Sequence, residues 1–409
     1  MPSLIWINQF ATMPADGGGT RHFELARELV QRGWEVTILA SDLHLHARKF
    51  TRRADPDDRS TRIETQDGVE MRWLWAAPYE GNDWRRAWNW LSFYRSVGRE
   101  GRRLPRRPDL IIGSSPQIFA ASAARRLARK SGVPFVFEVR DLWPESLLAV
   151  GGRRGPAYRV LDRIATSLYR DADRVMVLAR GVARYLAERG VPEKKIVHVP
   201  NGVDVQAIAP AATARAEDAS ARAPFTLIYA GAHGPANGLD TVLDAAEILR
   251  SQPEIRFLLV GDGPAKAQLR EAAARRGLAN VEFRAPVSKY ELVALLNAAD
   301  AGLMVLKEAP LFAFGVSPNK LFDYLGGGLP VVCNVAGEVA EMLAESTAGV
   351  QAADASGAAL AAAIRELMTW SSSRRREQGA AGRRWVEREH SRTVLGQRLD
   401  AFLRGVLAR

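Results

Sequence analysis

The chain has 409 residues, 47% of them hydrophobic and 25% charged, and a formal net charge of +11 at pH 7. This length and composition exclude both a single small core and a disordered chain, so we expect two globular domains. The single cysteine, Cys333, cannot form an internal disulfide and has no CxxC or Cys/His partner for a structural metal. The basic net charge indicates anionic partners, such as nucleic acid, acidic lipid headgroups or phosphorylated small molecules.

The sequence predicts neither a membrane-spanning helix nor a secretion signal. No run approaches the roughly 20 uncharged apolar residues that a spanning helix needs. The start, MPSLIWINQF, lacks the basic flank and small-residue cleavage site of a signal peptide. We therefore expect a cytoplasmic protein.

The first half of the chain alternates short buried strands with helices. Residues 3–10 form the first strand, the loop ATMPADGGGT follows it, and HFELARELVQRG has the apolar spacing of a helix. Further strands are predicted at WEVTILA, LIIG, PFVFEV, DRVMVLA and KIVHV, with helical stretches between most of them. This alternation predicts a parallel sheet with helices on both faces.

The second half repeats the pattern after a polar, alanine-rich linker at 206–223. Its strands are predicted at FTLIYAG, IRFLLVGDG, VEFRAP, AGLMVL and LPVVCN. We therefore predict an α/β protein with two Rossmann-like, doubly wound domains that face each other across a cleft. We expect residues 1–205 to form the first domain, which later motifs assign to an acceptor, and 224–385 the second, which they assign to a nucleotide, with a C-terminal helix at 386–409 that packs back on the first domain.

Glycine-containing loops between strands and helices are the first candidate binding elements. Gly18 and Gly19 precede the first helix, where backbone amides and the helix dipole favour an anion, although a flexible surface turn explains such a run equally simply. Two loops of the second half have the same placement, and their candidate residues are Gly231, His233, Gly234, Asn237, Gly261 and Gly263.

The segment GVSPNKLFDYLGGGLPVV contains the most specific pattern. A polar turn of Ser317, Pro318 and Asn319 leads into a helix that presents Lys320 and Asp323 at i and i+3. Lys320 can neutralise a diphosphate leaving group, and Asp323 can accept hydrogen bonds from a ribose diol. The alternative is an ordinary exposed Lys and Asp pair on a helix surface.

In the first half, FEVRDLWPESL runs from a buried strand into a polar loop. Arg140, Asp141 and Glu145 therefore follow the carboxyl end of a strand, where side chains of such sheets act on ligands. Asp141 is a candidate catalytic residue that orients or deprotonates an acceptor hydroxyl. The alternative is that it only caps the turn.

Residues 84–107 combine three Trp, one Phe and one Tyr with eight Arg and one Glu. Aromatic residues interleaved with arginine are typical of an amphipathic element that lies in the headgroup region of an anionic membrane. Two alternatives remain open, a helix whose Trp side chains pack into the core and a nucleic-acid patch. We predict no nucleic-acid partner, because no nucleic-acid fold signature accompanies this segment.

Several of these segments together resemble a known family over nearly the whole chain: GGGTRHFELARELVQRGWEVTILA, VPNGVD, YAGAHG, VGDGP and SPNKLFDYLGGGLPVV. The combination is similar to the retaining glycosyltransferases of family 4, which have the GT-B fold. RDLWPES, ANGLD and SPNKLFDY are similar to bacterial O-antigen and capsule enzymes that include L-fucosaminyltransferases.

The resemblance implies a glycosyltransferase that moves a sugar, such as an N-acetylated deoxyhexosamine, from a UDP-sugar to a lipid-linked or cell-surface glycan, in lipopolysaccharide or capsule biosynthesis. It also implies retention of anomeric configuration. We expect no cofactor and no metal ion. With the segment at 84–107, the expected location is the inner face of the plasma membrane, as a peripheral protein.

The resemblance assigns roles to individual positions. Gly18 and Gly19 approach the donor phosphates or the acceptor from the first domain, and Gly231 and Gly234 approach the donor from the second. The loop at 284–287, with Arg284 and Pro286, holds the base through its backbone.

The chain departs from the family pattern at the E-x7-E pair. Asp323 stands where the family has the second Glu, and binds the ribose, whereas the first Glu falls at Gly315. The family's Arg and Lys of the loop after the second domain's first strand correspond to Ala232 and Asn237. Lys320 is then the main cation for the diphosphate, with His233 as a helper.

Two other functions are consistent with the same motifs. A UDP-sugar 2-epimerase has the same two-domain architecture, and would release an epimerised UDP-sugar without any acceptor. A non-catalytic binder of nucleotide-sugars or nucleic acid would transfer no sugar and would bind duplexes with strong salt dependence.

Overall fold

The computed structural model describes residues 1–16, 19–45, 48–81, 83–149, 152–208, 224–309, 312 and 314–408. The chain divides into two compact units. The N-terminal unit consists of Met1–Met13, Gly19–Pro200 and Leu395–Arg409, and the C-terminal unit of Pro14–Gly18 and Asn201–Val394. The sequence placed this boundary slightly later, at residue 205, and most of its linker, residues 209–223, lies outside the described part of the chain.

The N-terminal unit is built on an eight-stranded sheet. Its strands are β1 (Ser3–Ile7), β2 (Glu35–Ser41), β3 (Arg62–Gln66), β4 (Val69–Leu74), β5 (Leu110–Ser114), β6 (Phe135–Val139), β7 (Arg174–Val177) and β8 (Ile196–His198). The order is β3-β4-β2-β1-β5-β6-β7-β8, and all neighbours are parallel except β3 and β4. Its helices are α1 (Arg21–Gln31), α2 (Trp84–Glu100), α3 (Ile118–Ser131), α4 (Glu145–Ala149), α5 (Pro156–Asp171) and α6 (Arg180–Glu188).

Helices cover both faces of this sheet. Every residue of β1, β5 and β6 is buried, as expected for parallel strands covered on both sides. Successive side chains of a strand point to opposite faces. Val136 accordingly belongs to the core cluster that includes α1, whereas its neighbour Phe137 contacts the ring of Tyr169 on α5 at 5.4 Å.

The C-terminal unit has a six-stranded, fully parallel sheet in the same style. Its strands are β9 (Phe225–Ala230), β10 (Ile255–Val260), β11 (Val281–Arg284), β12 (Ala301–Met304), β13 (Val331–Cys333) and β14 (Gly349–Gln351), in the order β11-β10-β9-β12-β13-β14. Its helices are α7 (Leu239–Ile248), α8 (Lys266–Arg275), α9 (Lys289–Ala298), α10 (Asn319–Gly326), α11 (Glu338–Ser346), α12 (Gly357–Met368) and α13 (Ser372–Glu389). The predicted pair of Rossmann-like α/β domains is confirmed.

Each sheet has a point at which the strand order reverses. In the N-terminal unit the chain builds outward from β1 through β2 and then returns to the other side of β1 with β5. In the C-terminal unit it builds outward from β9 through β10 and β11 and returns beside β9 with β12. Ligands of such sheets bind outside the carboxyl ends of the strands at this reversal. A ligand is therefore expected at the loops after β1 and β5 in the N-terminal unit and after β9 and β12 in the C-terminal unit.

The C-terminal region differs from the single helix predicted at 386–409. The helix α13 continues to Glu389, and after two intervening residues a separate helix, α14 (Arg392–Leu407), begins. Side chains of α14 complete the N-terminal core beside Leu29 and Trp34; they are Leu395, Leu399, Leu403 and Val406. Trp34 Nε1 also donates a hydrogen bond to Asp400 at 2.6 Å. The end of the chain thus belongs to the N-terminal unit, but through a helix that begins later than predicted.

Substitution of Leu399 by Ala should destabilise the N-terminal unit. The side chain is fully buried, and such truncations cost about 2–5 kcal/mol of unfolding free energy. Urea unfolding followed by tryptophan fluorescence would measure the loss, with the exposed position Ala401, changed to Ser, as the control on the same helix. An unfolding free energy equal to that of the control would contradict docking of α14 into this core.

Candidate functional site

The loop after β9 brings together four residues that the sequence singled out: Gly231, His233, Gly234 and Asn237. Its first residue is fixed to the sheet, because the Gly231 N–H donates to the Val260 carbonyl at 3.0 Å. A turn of 3₁₀ helix, Pro235–Asn237, and Gly238 then lead into α7. The loop therefore crosses the carboxyl end of β9, at the reversal of the strand order.

The glycines after β10 allow this loop to pack against a second one, backbone to backbone. A Cβ on Gly261 would lie 1.9 Å from the Gly231 carbonyl oxygen, and one on Gly263 would lie 2.5 Å from the His233 carbonyl oxygen. The His233 N–H also donates to the Asp262 carbonyl at 2.8 Å. The contacts of Gly261 and Gly263 thus shape the loop after β9, and their predicted contact with a donor stays a prediction.

His233 is enclosed by this packing and does not supply the second positive charge that the sequence suggested. Its side chain is fully buried, with the rings of Tyr229 and Phe283 at 6.0 and 6.1 Å. Burial, reinforced by the charges of Lys266 and Lys320, lowers the pKa of His233 to about 4. The imidazole is therefore neutral at pH 7, so the expectation of a cationic helper is wrong.

Lys320 lies at the start of α10 and reaches back to the same loop. Its Nζ donates to Tyr229 Oη at 3.1 Å and to Asn237 Oδ1 at 3.3 Å, and it lies 4.4 Å from the centre of the Tyr229 ring. No ion pair joins Lys320 to an Asp or Glu in the part of the chain that the structure describes. Burial lowers the pKa of Lys320 to about 7. The site therefore contains a lysine without a carboxylate partner, charged below about pH 7.

Asp323, one turn further along α10, has a partner that the sequence did not indicate. Its carboxylate forms an ion pair with Lys289 at the start of α9. The Asp323 side chain is 12% exposed and that of Lys289 20% exposed. Lys320 and Asp323 thus share a helix, but their charged ends have different neighbours. Lys289 was missed because nothing in its local sequence, SKYE, separates it from an ordinary surface lysine.

The polar turn before α10 is anchored by the turn after β8. Ser317 Oγ accepts a hydrogen bond from the Asn201 N–H at 2.8 Å, and Asn201 Nδ2 donates to the Ser317 carbonyl at 2.5 Å. Pro318 is the N-cap of α10, with extended backbone, and Asn319 is its first residue. The three predicted residues therefore position the start of the helix that carries Lys320.

Arg284 and Pro286 lie further from this cluster. Both are exposed, and Arg284 donates to Glu282 on the same strand at 2.6 Å. The Arg284 carbonyl accepts hydrogen bonds from the Gly261 N–H and from Lys266 Nζ, at 3.3 and 2.8 Å. The backbone at the end of β11 is thus tied to the glycine loop, and its predicted contact with a base stays a prediction.

In the N-terminal unit, Gly19 and Asp141 come close to the reversal at β1 and β5. Ser115 Oγ accepts the backbone N–H groups of Arg140 and Asp141, at 2.8 and 3.2 Å. Partial withdrawal of the carboxyl from water raises the pKa of Asp141, and the charge of Arg140 offsets part of that rise. A Cβ on Gly19 would lie 3.9 Å from Arg140 Nη2. Gly18 lies outside the described residues.

A fully buried charged cluster beneath these residues was missed by the sequence analysis. Glu138 Oε1 accepts from Arg21 Nε and Glu138 Oε2 is bonded to His22 Nε2, both at 2.9 Å. Although burial acts in the opposite direction, the charges of His22 and Arg21 keep the pKa of Glu138 well below its usual value. Burial lowers the pKa of His22 to about 4, so Arg21 is the permanent counter-ion. The pair ties the start of α1 to β6.

Helix α2 includes most of the aromatic and basic segment at 84–107, and its three tryptophans differ in exposure. Trp90 packs on Phe119 and Trp143, with ring centres 6.0 and 5.6 Å apart. Trp84 and Trp88 are 72% and 43% exposed. Trp90 is therefore half-buried against neighbouring rings, and the core alternative is wrong for Trp84 and Trp88. No helix among the described residues has the length and apolar character needed to cross a bilayer.

A separate groove of about 1110 Å³ lies on the C-terminal unit, between residues such as Arg250, Arg270 and Asn280. It includes Ile255 and Val281, the first residues of β10 and β11. The groove is therefore near the amino ends of these strands. Because ligands of parallel sheets bind at the carboxyl ends, we assign the site to the cluster around Lys320 instead.

Both halves of the chain match models of known protein families. Residues 16–202 match the model of the Glycosyl transferase 4-like domain, and residues 224–369 match that of Glycosyl transferases group 1. The glycosyl transferase WcaI of Escherichia coli K12, named for colanic acid biosynthesis, is 31% identical over 255 residues. That match covers 60% of this chain and 62% of WcaI, less than two thirds of either protein.

Solved structures share the fold over the whole length. Sucrose-phosphate synthase from Thermosynechococcus elongatus matches with a TM-score of 0.77 at 18% identity, covering 100% of both chains. Anabaena HepE, solved in complex with UDP and glucose, matches with a TM-score of 0.71 at 15% identity, covering 99% of this chain and 100% of HepE. At such identities the likeness concerns the fold alone.

Substitution of Gly261 by Ala should disrupt the loop that carries His233 and Asn237. A methyl group 1.9 Å from the Gly231 carbonyl oxygen forces the two loops apart, and overpacking of this kind costs about 1–3 kcal/mol. Thermal unfolding would show the loss, with Gly405→Ala as the control, since nothing lies within 4 Å of a Cβ at Gly405. Equal melting temperatures for the two variants would contradict the close packing.

Proposed function

We infer that this chain belongs to the glycosyltransferases of the GT-B fold, with a glycosyl transferase 4-like domain followed by a group 1 domain, and propose that it transfers a sugar from a UDP-sugar to a lipid-linked or cell-surface glycan. The observation that carries this proposal is Lys320, a lysine without a carboxylate partner among the described residues, at the reversal of the C-terminal sheet. The transfer retains the anomeric configuration and needs no metal ion.

The chemistry of the leaving group explains why a lysine belongs there. When a sugar leaves a nucleotide diphosphate, negative charge develops on the diphosphate, and a fixed cation stabilises that transition state. Lys320 is held by Tyr229 and Asn237, which orient its ammonium group without neutralising it. Gly231 lies beside it, and a Cβ there would come within 3.6 Å of Lys320 Cε. The absence of a side chain at Gly231 therefore leaves room for a phosphate.

A uridine nucleotide is the donor that we propose. HepE, of the same fold, was solved with UDP and glucose. In this chain Asp323 is the residue that we propose to bind the ribose. Lys289 pairs with one of its carboxylate oxygens, Oδ1, and leaves Oδ2 for a ligand. The other oxygen can accept hydrogen bonds from a ribose diol. In this proposal the exposed backbone at Arg284 and Pro286 faces the base, and Gly234, Gly261 and Gly263 line the donor path.

Asp141 is the proposed acceptor-side catalytic residue. It follows β6 at the carboxyl edge of the N-terminal sheet, where the acceptor would bind. Partial withdrawal of its carboxyl from water raises its pKa, which suits a carboxyl that exchanges a proton with, or orients, a sugar hydroxyl. The similarity to WcaI, named for colanic acid biosynthesis, favours a bacterial surface glycan as acceptor, and the RDLWPES and SPNKLFDY wording favours an N-acetylated deoxyhexosamine as the transferred sugar.

The exposed face of α2 supports attachment to an anionic membrane surface. Trp84 and Trp88 project from one side of this helix, and Arg95 lies over the Trp88 ring at 5.1 Å. Further exposed arginines continue this side and its extension, namely Arg99, Arg102 and Arg103. Tryptophan beside arginine suits the headgroup region of a bilayer. Such attachment would bring the acceptor domain to a lipid-linked substrate at the inner face of the plasma membrane.

A panel of UDP- and GDP-sugars with a lipid-linked N-acetylhexosamine acceptor tests the proposed reaction. We expect transfer from a UDP-sugar that depends on the acceptor and persists in the presence of EDTA. Release of an epimerised UDP-sugar without acceptor would instead identify the 2-epimerase, for which none of the reported relatives gives support. Transfer from GDP-sugars alone would overturn the choice of nucleotide.

Replacement of Lys320 by Ala should lower turnover by about 10- to 1000-fold, the scale of a lost charge stabiliser. The buried lysine, with a pKa of about 7, is charged below that pH and loses its proton above it. UDP, which needs the charged form, should therefore bind about tenfold more weakly for each pH unit above 7. Calorimetric titration at several pH values would measure this. The Lys320→Arg variant, charged throughout, should show no such decline, and the same decline in both proteins would refute the assignment.

Changing both Arg95 and Arg99 to Gln should weaken binding to vesicles that contain phosphatidylglycerol. Each basic residue near such a surface contributes about 1 kcal/mol, so the pair should cost roughly 30-fold in partitioning. Vesicle co-sedimentation at low and high salt would measure the effect. The control is the pair Arg250→Gln and Arg270→Gln, which removes the same charge from exposed positions of the C-terminal unit. Equal losses for the two pairs would exclude a specific membrane face on α2.

A further inference from the structure

Arg140 is a second cation without a carboxylate partner. It follows the last residue of β6, at the carboxyl edge of the N-terminal sheet. Its Nε is buried and has no hydrogen-bond partner, and none of the ion pairs within the described residues includes its guanidinium group. Neither the family resemblance nor the leaving-group chemistry assigns it a role.

The nearest carboxylates do not neutralise Arg140. Glu138, two residues earlier, has both oxygens occupied, Oε1 by Arg21 and Oε2 by His22 and Ser114. Asp141 follows directly in the chain and makes no ion pair with Arg140. The buried cluster therefore uses its single Glu138 charge in the ion pair with Arg21, and Arg140 acts on Glu138 and Asp141 through its charge alone, without an ion pair to either.

The surroundings of Arg140 leave space for a ligand atom. Among the described residues, Arg140 Nη2, at 3.9 Å, is the one heavy atom outside the neighbouring residues that lies within 4 Å of a Cβ placed on Gly19, so the space around this glycine is open. Ser115 Oγ accepts the N–H groups of both Arg140 and Asp141, so one turn fixes the cation and the proposed catalytic carboxyl together. Partial burial of a cation without a counter-ion is unfavourable. A guanidinium group in such a place is suited to an oxyanion, which it binds through two parallel hydrogen bonds.

We propose that Arg140 and the adjacent Gly19 form an anion-binding subsite of the N-terminal unit that receives a phosphate group of the substrate. The proposal rests on the proposed function in that the phosphate belongs either to the donor diphosphate or to a phosphorylated acceptor. In both cases the bound phosphate lies beside Asp141, and it places the reacting sugar next to that carboxyl. Arg140 is thus a binding residue of the N-terminal unit, next to the proposed catalytic Asp141.

Calorimetric titration with inorganic pyrophosphate, in the Lys320→Met protein, isolates this subsite from the lysine. Arg140→Gln should weaken pyrophosphate binding about 10- to 100-fold, the scale of lost hydrogen bonds to a charged group. Arg140→Lys, which keeps the charge but not the paired donors, should recover part of the affinity. Arg129→Gln is the matched control, because Arg129 is 65% exposed and already paired with Asp171. An affinity in Arg140→Gln equal to that of Arg129→Gln overturns the subsite.

Titration of UDP into the otherwise unaltered protein and its Arg140→Gln variant then distinguishes the two sources. A parallel loss of UDP affinity identifies the donor diphosphate, whereas unchanged UDP affinity with weaker pyrophosphate binding identifies an acceptor phosphate. Thermal unfolding checks that Arg140→Gln folds, and recovery in Arg140→Lys excludes a purely structural loss. If no UDP-sugar is bound or transferred while pyrophosphate binding still depends on Arg140, the proposed function fails and the subsite stands.

Discussion

The structure keeps a lysine charge free of carboxylates at the carboxyl edge of a parallel sheet. Lys320 is oriented by a phenol and an amide, Tyr229 and Asn237, neither of which neutralises it. The nearest acid on its own helix, Asp323, is occupied by Lys289. Removing a cation from water without a counter-ion costs free energy, and perturbed groups of this kind concentrate at functional sites. An anionic ligand is the simplest compensation.

Backbone packing maintains this arrangement. The loop after β9 can reach the lysine only because Gly261 and Gly263 let the neighbouring loop approach it at main-chain distance. The turn before α10 is held in turn by Asn201. The site thus depends on three loops from distant parts of the chain, two of them in contact backbone to backbone and the third held by hydrogen bonds of the Asn201 and Ser317 side chains. Precision of this kind suits a site whose catalysis relies on positioning and charge.

The N-terminal unit also buries a cation near the carboxyl edge of its sheet, but there a carboxylate neutralises it. There a buried ion pair, Arg21 with Glu138, joins the start of α1 to β6. Breaking a pair buried so completely is expensive, because it leaves one charge unpaired in the interior. The pair therefore holds the glycine end of the first loop near the turn that carries Arg140 and Asp141. The charge of Arg21 is therefore neutralised inside the unit by Glu138, whereas Arg140, at the edge of the sheet, has no ion pair among the described residues.

The sequence by itself determined the two α/β domains and the loops that matter, because apolar periodicity and glycine position are local properties. It also singled out Asp141 by its place after a strand, and Lys320 and Asp323 by their spacing on the helix that follows a polar turn. Their partners were decided only by the tertiary structure: Tyr229 is 91 residues from Lys320, and Glu138 is 117 residues from Arg21. Burial, which made His233 neutral, depends on the same long-range packing. Local patterns set where a side chain stands along the chain, whereas its charge state and neighbours follow from contacts that form only when distant segments fold together.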